Sequence, residues 1–264
     1  MKTVKNGAAF ISGGASGIGF GMAQALARHG MKIALADVDR DALDRATAAL
    51  SEMGVAALPV TMDVRDRAAW EAALERTERE LGPLQILCSN AGVAGSTLPM
   101  EETDWAGWQW TLDVNLHGTF NALRSALPRM RRHGRDAHIV CTASLGAFIV
   151  TPGNGAYCAT KAGVVAMCEA VRQEVAGSNI GVSVLCPGLV ATNLLDNVHK
   201  LGPYDVDLGE HSEGTAVAMK AGQDPAAVGE FVLQGILGNR FWLFTHPELR
   251  DLVENRANEI LAAM

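Results

Sequence analysis

Ser144, Tyr157 and Lys161 fall within one short stretch, residues 142–161, and their types suit acid–base chemistry. A tyrosine with a reference pKa of about 10 is a poor acid or base at neutral pH, whereas a nearby fixed positive charge favours the phenolate. If the chain is helical from Ala156 onward, Tyr157 and Lys161 are four apart and share one face, so the ammonium is expected to bias the phenol downward. Ser144 ends an apolar, strand-like run over 137–143, where its hydroxyl can point into a cleft at the sheet edge. Alone, Tyr-x-x-x-Lys is a common spacing, and a lysine snorkelling past a packing tyrosine fits it equally well.

The surrounding elements supply the context. Residues 8–11 read as a strand, followed by Ser12-Gly13-Gly14-Ala15-Ser16-Gly17-Ile18-Gly19 and a helical stretch over 20–29. Strand, glycine turn and helix in that order let a backbone approach a pyrophosphate, with the helix N-terminus offering unpaired N–H groups. A second strand over 32–36 ends at Asp37, where a ribose-binding carboxylate is expected. Such a carboxylate repels a 2′-phosphate, and neither Ser16 nor Val38 provides a cation for one, so NAD is favoured over NADP; Arg40 nearby keeps NADP open.

Further strands and helices alternate: a strand over 56–62 ending at Asp63-Val64, one over 85–88 running into Ser89-Asn90-Ala91-Gly92, and one over 181–185 leading to Cys186-Pro187-Gly188-Leu189-Val190-Ala191-Thr192. A long helix from about residue 102, capped by Thr103 or Asp104, carries Asn115. Its tryptophans Trp105, Trp108 and Trp110 read as packing residues. The alternation predicts an α/β fold, a Rossmann-type doubly wound parallel sheet of about seven strands with helices on both faces. Ligands in such sheets bind beyond the carboxyl ends of the strands, and Gly13, Asp37, Asp63, Asn90, Ser144 and Pro187 all fall there. Residues 193–222, punctuated by glycine and proline, are expected to form a substrate lid, with Leu145 and Leu194 among the apolar residues facing substrate.

Composition agrees with one domain over residues 1–264. Hydrophobic residues make up 48% and charged residues 19%, and the mean hydropathy of +0.12 suits a sheet covered on both faces. A net charge of −7, with a single short basic run over 129–135 expected to be a solvated helix end, argues against a nucleic-acid partner. The five cysteines lie in apolar segments without a C-x-x-C pair, and the seven histidines lack metal-ligand spacing, so reduced thiols, no metal and a cytoplasmic location are expected. The first apolar run is too short for a signal or a membrane span.

With these segments assembled, the chain resembles the short-chain dehydrogenase/reductase family over nearly its whole length. The resemblance rests on Gly13-x-x-x-Gly17-Ile18-Gly19, Asp63-Val64, Asn90-Ala91-Gly92, Asn115, Ser144, Tyr157-x-x-x-Lys161 and Pro187-Gly188 through Thr192. Ser12 stands where threonine is usual and Ser89 where asparagine is common; both keep a small polar group.

The resemblance implies that Tyr157 is the general acid/base for a substrate oxygen while a nicotinamide exchanges hydride with the adjoining carbon. It further implies that Ser144 hydrogen-bonds the same oxygen, Lys161 holds the ribose hydroxyls, and Asn115 holds a proton-relaying water. Cofactor contacts are implied for Gly13, Ser16, Gly17, Ile18, Gly19, Asp37, Asp63, Val64, Asn90, Ala91, Gly92, Tyr157, Lys161, Pro187, Gly188, Val190 and Thr192. Family members commonly assemble as tetramers or dimers, through the helices bearing Asn115 and Tyr157. The activity implied is NAD-dependent interconversion of a hydrophobic, aryl or alicyclic secondary alcohol and its ketone. An NADPH-dependent carbonyl reductase and a non-catalytic dinucleotide-binding sensor are the alternatives.

Overall fold

In the computed structural model, which describes residues 6–202, 214 and 217–264, seven strands form one parallel sheet in the order β3-β2-β1-β4-β5-β6-β7. The strands are β1 (Ala8–Ser12), β2 (Lys32–Asp37), β3 (Ala57–Thr61), β4 (Leu84–Ser89), β5 (Ala137–Thr142), β6 (Ile180–Cys186) and β7 (Trp242–Phe244). Of the expected lid, residues 203–213, 215 and 216 lie outside the described residues.

The central strands β1, β4, β5 and β6 are buried on both faces, because helices cover both. Phe10 of β1 packs into one layer with Trp70, Ala122 and Val164, whereas Ile11, pointing oppositely, packs into the other with Met22, Leu26 and Val232. The first layer belongs to α3 (Arg67–Leu81), α5 (Gly118–His133) and α6 (Gly155–Glu174). The second belongs to α1 (Gly17–Arg28), α2 (Arg40–Glu52) and α8 (Pro225–Leu237). Helix α7 (Asp196–Leu201) lies within residues 193–222, and α9 (Arg250–Ala262) ends the chain after a short 3-10 turn, Pro247–Leu249. No described helix is long and apolar enough to cross a membrane.

Two expectations need revising. The helix expected to carry Asn115 without interruption is α4 (Trp105–Leu112), capped by Asp104 through the Gly107 N–H at 2.8 Å, then a π-helical turn at Asp113–His117, then α5. Periodicity does not reveal such a turn, since it adds a single residue to an otherwise continuous helix. The basic run over 129–135 is also not uniformly solvated: Arg129 is largely covered and bridges Glu71 at 2.9 Å and Glu78 at 2.7 Å on α3.

Candidate active site

The carboxyl ends of the strands open into a groove of about 760 Å³. Its floor is organised by small hydroxyls and one amide. Ser12 Oγ accepts the backbone N–H groups of Asn90 and Ala91 at 3.0 and 3.2 Å, and Asn90 Nδ2 donates back to the carbonyls of Ser12 and Gly13, each at 3.2 Å. Thr142 Oγ1 donates to Asn90 Oδ1 at 3.0 Å, so the ends of β1, β4 and β5 are tied together. The sequence marked Ser12 only as a departure from a family habit; its hydroxyl is the joint between two strands.

At the glycine turn, Gly13 and Gly17 have φ of +61° and +50°, values that favour glycine. Gly13, Ser16, Gly17 and Ile18 line the groove; Gly19 does not, and sits close against the Gly13 carbonyl, where a Cβ would collide with the oxygen. Ser16 makes no side-chain cap bond and the first turn of α1 holds no acidic residue, so the N–H donors of that helix end suit a diphosphate.

Asp37 lines the neighbouring end. Its carboxylate accepts the N–H groups of Ala15 and Asp39, each at 3.2 Å, while burial raises its pKa from the ordinary carboxylate value. Asp63 and Val64 also line the groove. Burial works against the Asp63 charge, but the Arg65 guanidinium, 2.6 Å away, more than offsets this and the pKa is lowered. Asn90, Ala91 and Gly92 line the middle of the groove, and Pro187, Gly188, Val190 and Thr192 its far wall. These features together fit a dinucleotide: anion donors at a glycine turn, a carboxylate at a ribose position, and a flat floor of small residues between them.

The proton-handling residues meet at the other end. Ser144, 9% exposed at the end of β5, caps the 3-10 turn Leu145–Ala147 by accepting the Gly146 N–H at 3.0 Å. Tyr157, on the first turn of α6, lines the groove beside Ser144: a Cβ on Gly146 would meet the Tyr157 ring at 3.3 Å and Ser144 Oγ at 3.4 Å. Lys161, one turn further and 4% exposed, donates from Nζ to the Thr142 carbonyl at 3.0 Å and sits 5.5 Å from the centroid of the Tyr157 ring.

Asn115 does not line the groove; it lies beneath it in the π turn. Its Oδ1 accepts the Val93 N–H at 2.8 Å and its Nδ2 donates to the Val93 carbonyl at 2.9 Å and Thr160 Oγ1 at 3.2 Å. A Cβ on Gly92 would come within 3.2 Å of both Asn115 Oδ1 and Lys161 Nζ, so Asn115 and Lys161 converge on that glycine.

One electrostatic expectation is reversed. Burial pushes the Tyr157 phenol above its ordinary value, more than the neighbouring Ser144 hydroxyl lowers it, and burial lowers Lys161 to about 8. The ammonium was expected to lower the phenol. Both groups are desolvated, and the lysine donates to a carbonyl rather than to the tyrosine.

The apolar lining of the groove also differs from expectation. Leu194 lines the groove as expected, but Leu145 is buried off it, with its N–H donating to the Pro187 carbonyl at 2.9 Å. Phe148 instead joins an aromatic cluster with Trp242 and Phe244, at centroid separations of 5.8 and 5.6 Å. Val93, Trp110, Val114 and Met219 line the groove in their place. Trp110 was read as packing, like Trp105, which is 86% exposed. A signal existed: Trp110 and Val114 are one helical turn apart and precede Asn115, so helical phase places them on the same side.

Comparison with known proteins agrees with this geometry. A short chain dehydrogenase family model matches residues 7–201. Among curated proteins, C alpha-dehydrogenase from Sphingobium sp. (strain NBRC 103272 / SYK-6) is 33% identical, over 99% of this chain and 87% of its own length. A 1-deoxy-11-beta-hydroxypentalenate dehydrogenase from Streptomyces exfoliatus is 31% identical, over 96% and 88%. Among solved structures, a short chain dehydrogenase/reductase from Burkholderia phymatum in complex with NAD superposes with a TM-score of 0.95 at 29% identity, covering 100% of this chain and 97% of that one. The apo form of LigO from Sphingobium sp. strain SYK-6 gives a TM-score of 0.86 at 36% identity, over 100% and 91%. On this match and this arrangement of residues, the chain belongs to the short-chain dehydrogenase family, oxidoreductases acting on CH–OH groups and the corresponding carbonyls.

Proposed function

We propose that this protein interconverts an apolar secondary alcohol and its ketone with NAD, using Tyr157 as general acid/base. The observation that carries the reading is the meeting of Tyr157 and Ser144 at the groove, with Lys161 one helical turn away. A bound nicotinamide supplies the hydride acceptor for oxidation or the donor for reduction. Tyr157 takes the alcohol proton during oxidation, or gives a proton to the carbonyl oxygen during reduction. Ser144 Oγ donates a hydrogen bond to that same oxygen and so fixes which atom faces the phenol. Trp110, Val114, Leu194 and Met219 exclude water and favour an apolar substrate body.

NAD is supported by Asp37 and by the complex in which the Burkholderia phymatum relative was solved. An alcohol substrate is supported by the hydroxylated compound in the name of the Streptomyces relative. A preference for NADP is the second reading, because Arg45 and Lys200 line the same groove as Asp37. Initial rates with a panel of aryl and alicyclic secondary alcohols, followed by NADH absorbance, test the reading. Turnover of several members with NAD is expected; tight NADH binding without turnover of any of them would instead make the protein a dinucleotide sensor.

A further inference from the structure

Helix α7 touches both walls of the groove. On one side Leu195, at its N-terminus, and Val198 join an apolar cluster with Val93, Ala94 and Trp110, so this end is anchored on α4 and the loop after β4. On the other side Lys200 Nζ forms an ion pair with the Asp39 carboxylate. Asp39 is the N-cap of α2, two residues beyond Asp37, and its Oδ1 separately accepts the Ala42 N–H at 3.1 Å. Asn197, Lys200 and Leu201 line the groove in company with Asp37, Ala42 and Arg45. A helix fixed on α4 at one end and on the start of α2 at the other lies across the nucleotide half of the cleft.

The two attachments differ in kind. The Trp110 side is buried and apolar, insensitive to salt. The Lys200 side chain is 62% exposed and Asp39 is 23% exposed, so their attraction is weak and screened by ions. A strap with one permanent and one releasable anchor opens at the releasable end.

We infer that Lys200 is a positioning residue that retains the cofactor, by latching helix α7 to Asp39 across the nucleotide end of the groove. The inference rests on the dinucleotide reading given under Proposed function. The latch acts on cofactor residence rather than on the chemical step, and product release limits turnover in many enzymes.

The test is release of NADH from the full-length protein, followed by stopped-flow fluorescence, for wild type, Lys200→Met, Asp39→Asn and the double variant. Asparagine keeps the cap on α2 while removing the charge. Both single variants are expected to release NADH about two- to five-fold faster at low salt, the range of one exposed ion pair, and the double variant no faster than either. Added salt should speed release from wild type and leave the variants' advantage abolished. Without ligand, amide hydrogen exchange over 197–202 should quicken in both single variants.

The sign of the Asp39→Asn effect separates this role from its rival. If Lys200 instead acts directly on the anionic nucleotide, removing Asp39 frees the lysine and slows release, which overturns the latch. Unchanged release in Lys200→Met overturns it as well. Failure of wild type to bind NADH at all overturns the proposed function along with the latch, whereas binding with unaltered release rates overturns the latch alone.

Discussion

At the scale of single residues, sequence spacing reveals which groups meet but not how they are charged. Ser144, Tyr157 and Lys161 converge as their types and spacing led one to expect. The raised phenol and the lysine lowered to about 8 were not legible, because burial is a property of the folded neighbourhood. Alcohol oxidation needs the deprotonated phenol, so the rate is expected to climb as pH rises from neutral. Because burial and not the ammonium dominates at the phenol, Lys161→Met should lower activity while leaving the midpoint of the kcat/KM profile in place. A midpoint moved to higher pH would show that the lysine does favour the phenolate. Asp37→Ala should raise the NADP to NAD ratio of kcat/KM by about tenfold, equivalent to about 1.4 kcal/mol; a wild-type enzyme that already prefers NADP overturns the cofactor assignment.

At the scale of elements, strand-turn-helix order was readable because glycine marks the turns and apolar runs mark buried strands. The π turn around Asn115 was not, nor was the seating of Trp110 against Leu195, Val198 and Met219, since both depend on packing between segments distant in sequence. The glycine turn gives an element-level prediction. A methyl at Gly19 meets the Gly13 carbonyl inside a backbone-to-backbone approach that cannot yield. Gly19→Ala should therefore cost about 1–3 kcal/mol of stability, read from the urea midpoint, and weaken NADH binding. Wild-type stability in that variant would show that the turn can open to admit a methyl group.

For the molecule as a whole, a doubly wound sheet followed from alternation alone, while its polar interior did not. His138, on β5, is fully buried. Ser183 Oγ donates to the Arg240 carbonyl at 2.6 Å, so His138 Nε2 must donate to Ser183 Oγ at 2.8 Å, which leaves Nδ1 a bare acceptor without a partner. Burial accordingly lowers its pKa to about 3. The unfolded chain binds that proton below its ordinary value of 6.5 and the native state does not, so stability falls as pH drops from 6.5 towards 3 and levels off below. The effect is on the order of a few kcal/mol, and His138→Gln should flatten this limb of an acid-unfolding series. Assembly is a second whole-molecule prediction. Phe120 on α5 is 53% exposed, on one of the helices expected to join subunits. Light scattering should give a tetramer or dimer, and Phe120→Glu a smaller species.

In the proposed reaction the half-buried Tyr157 hydroxyl passes a proton to or from a substrate oxygen beside a bound nicotinamide. Tyr157→Phe removes only that hydroxyl, so NADH titration and turnover of the best alcohol, measured on the same preparation, examine the claim directly. The dissociation constant for NADH is expected to stay within about twofold of wild type while kcat falls by at least about a hundredfold, the usual contribution of a general acid/base. Turnover within tenfold of wild type, at unchanged NADH affinity, would contradict it.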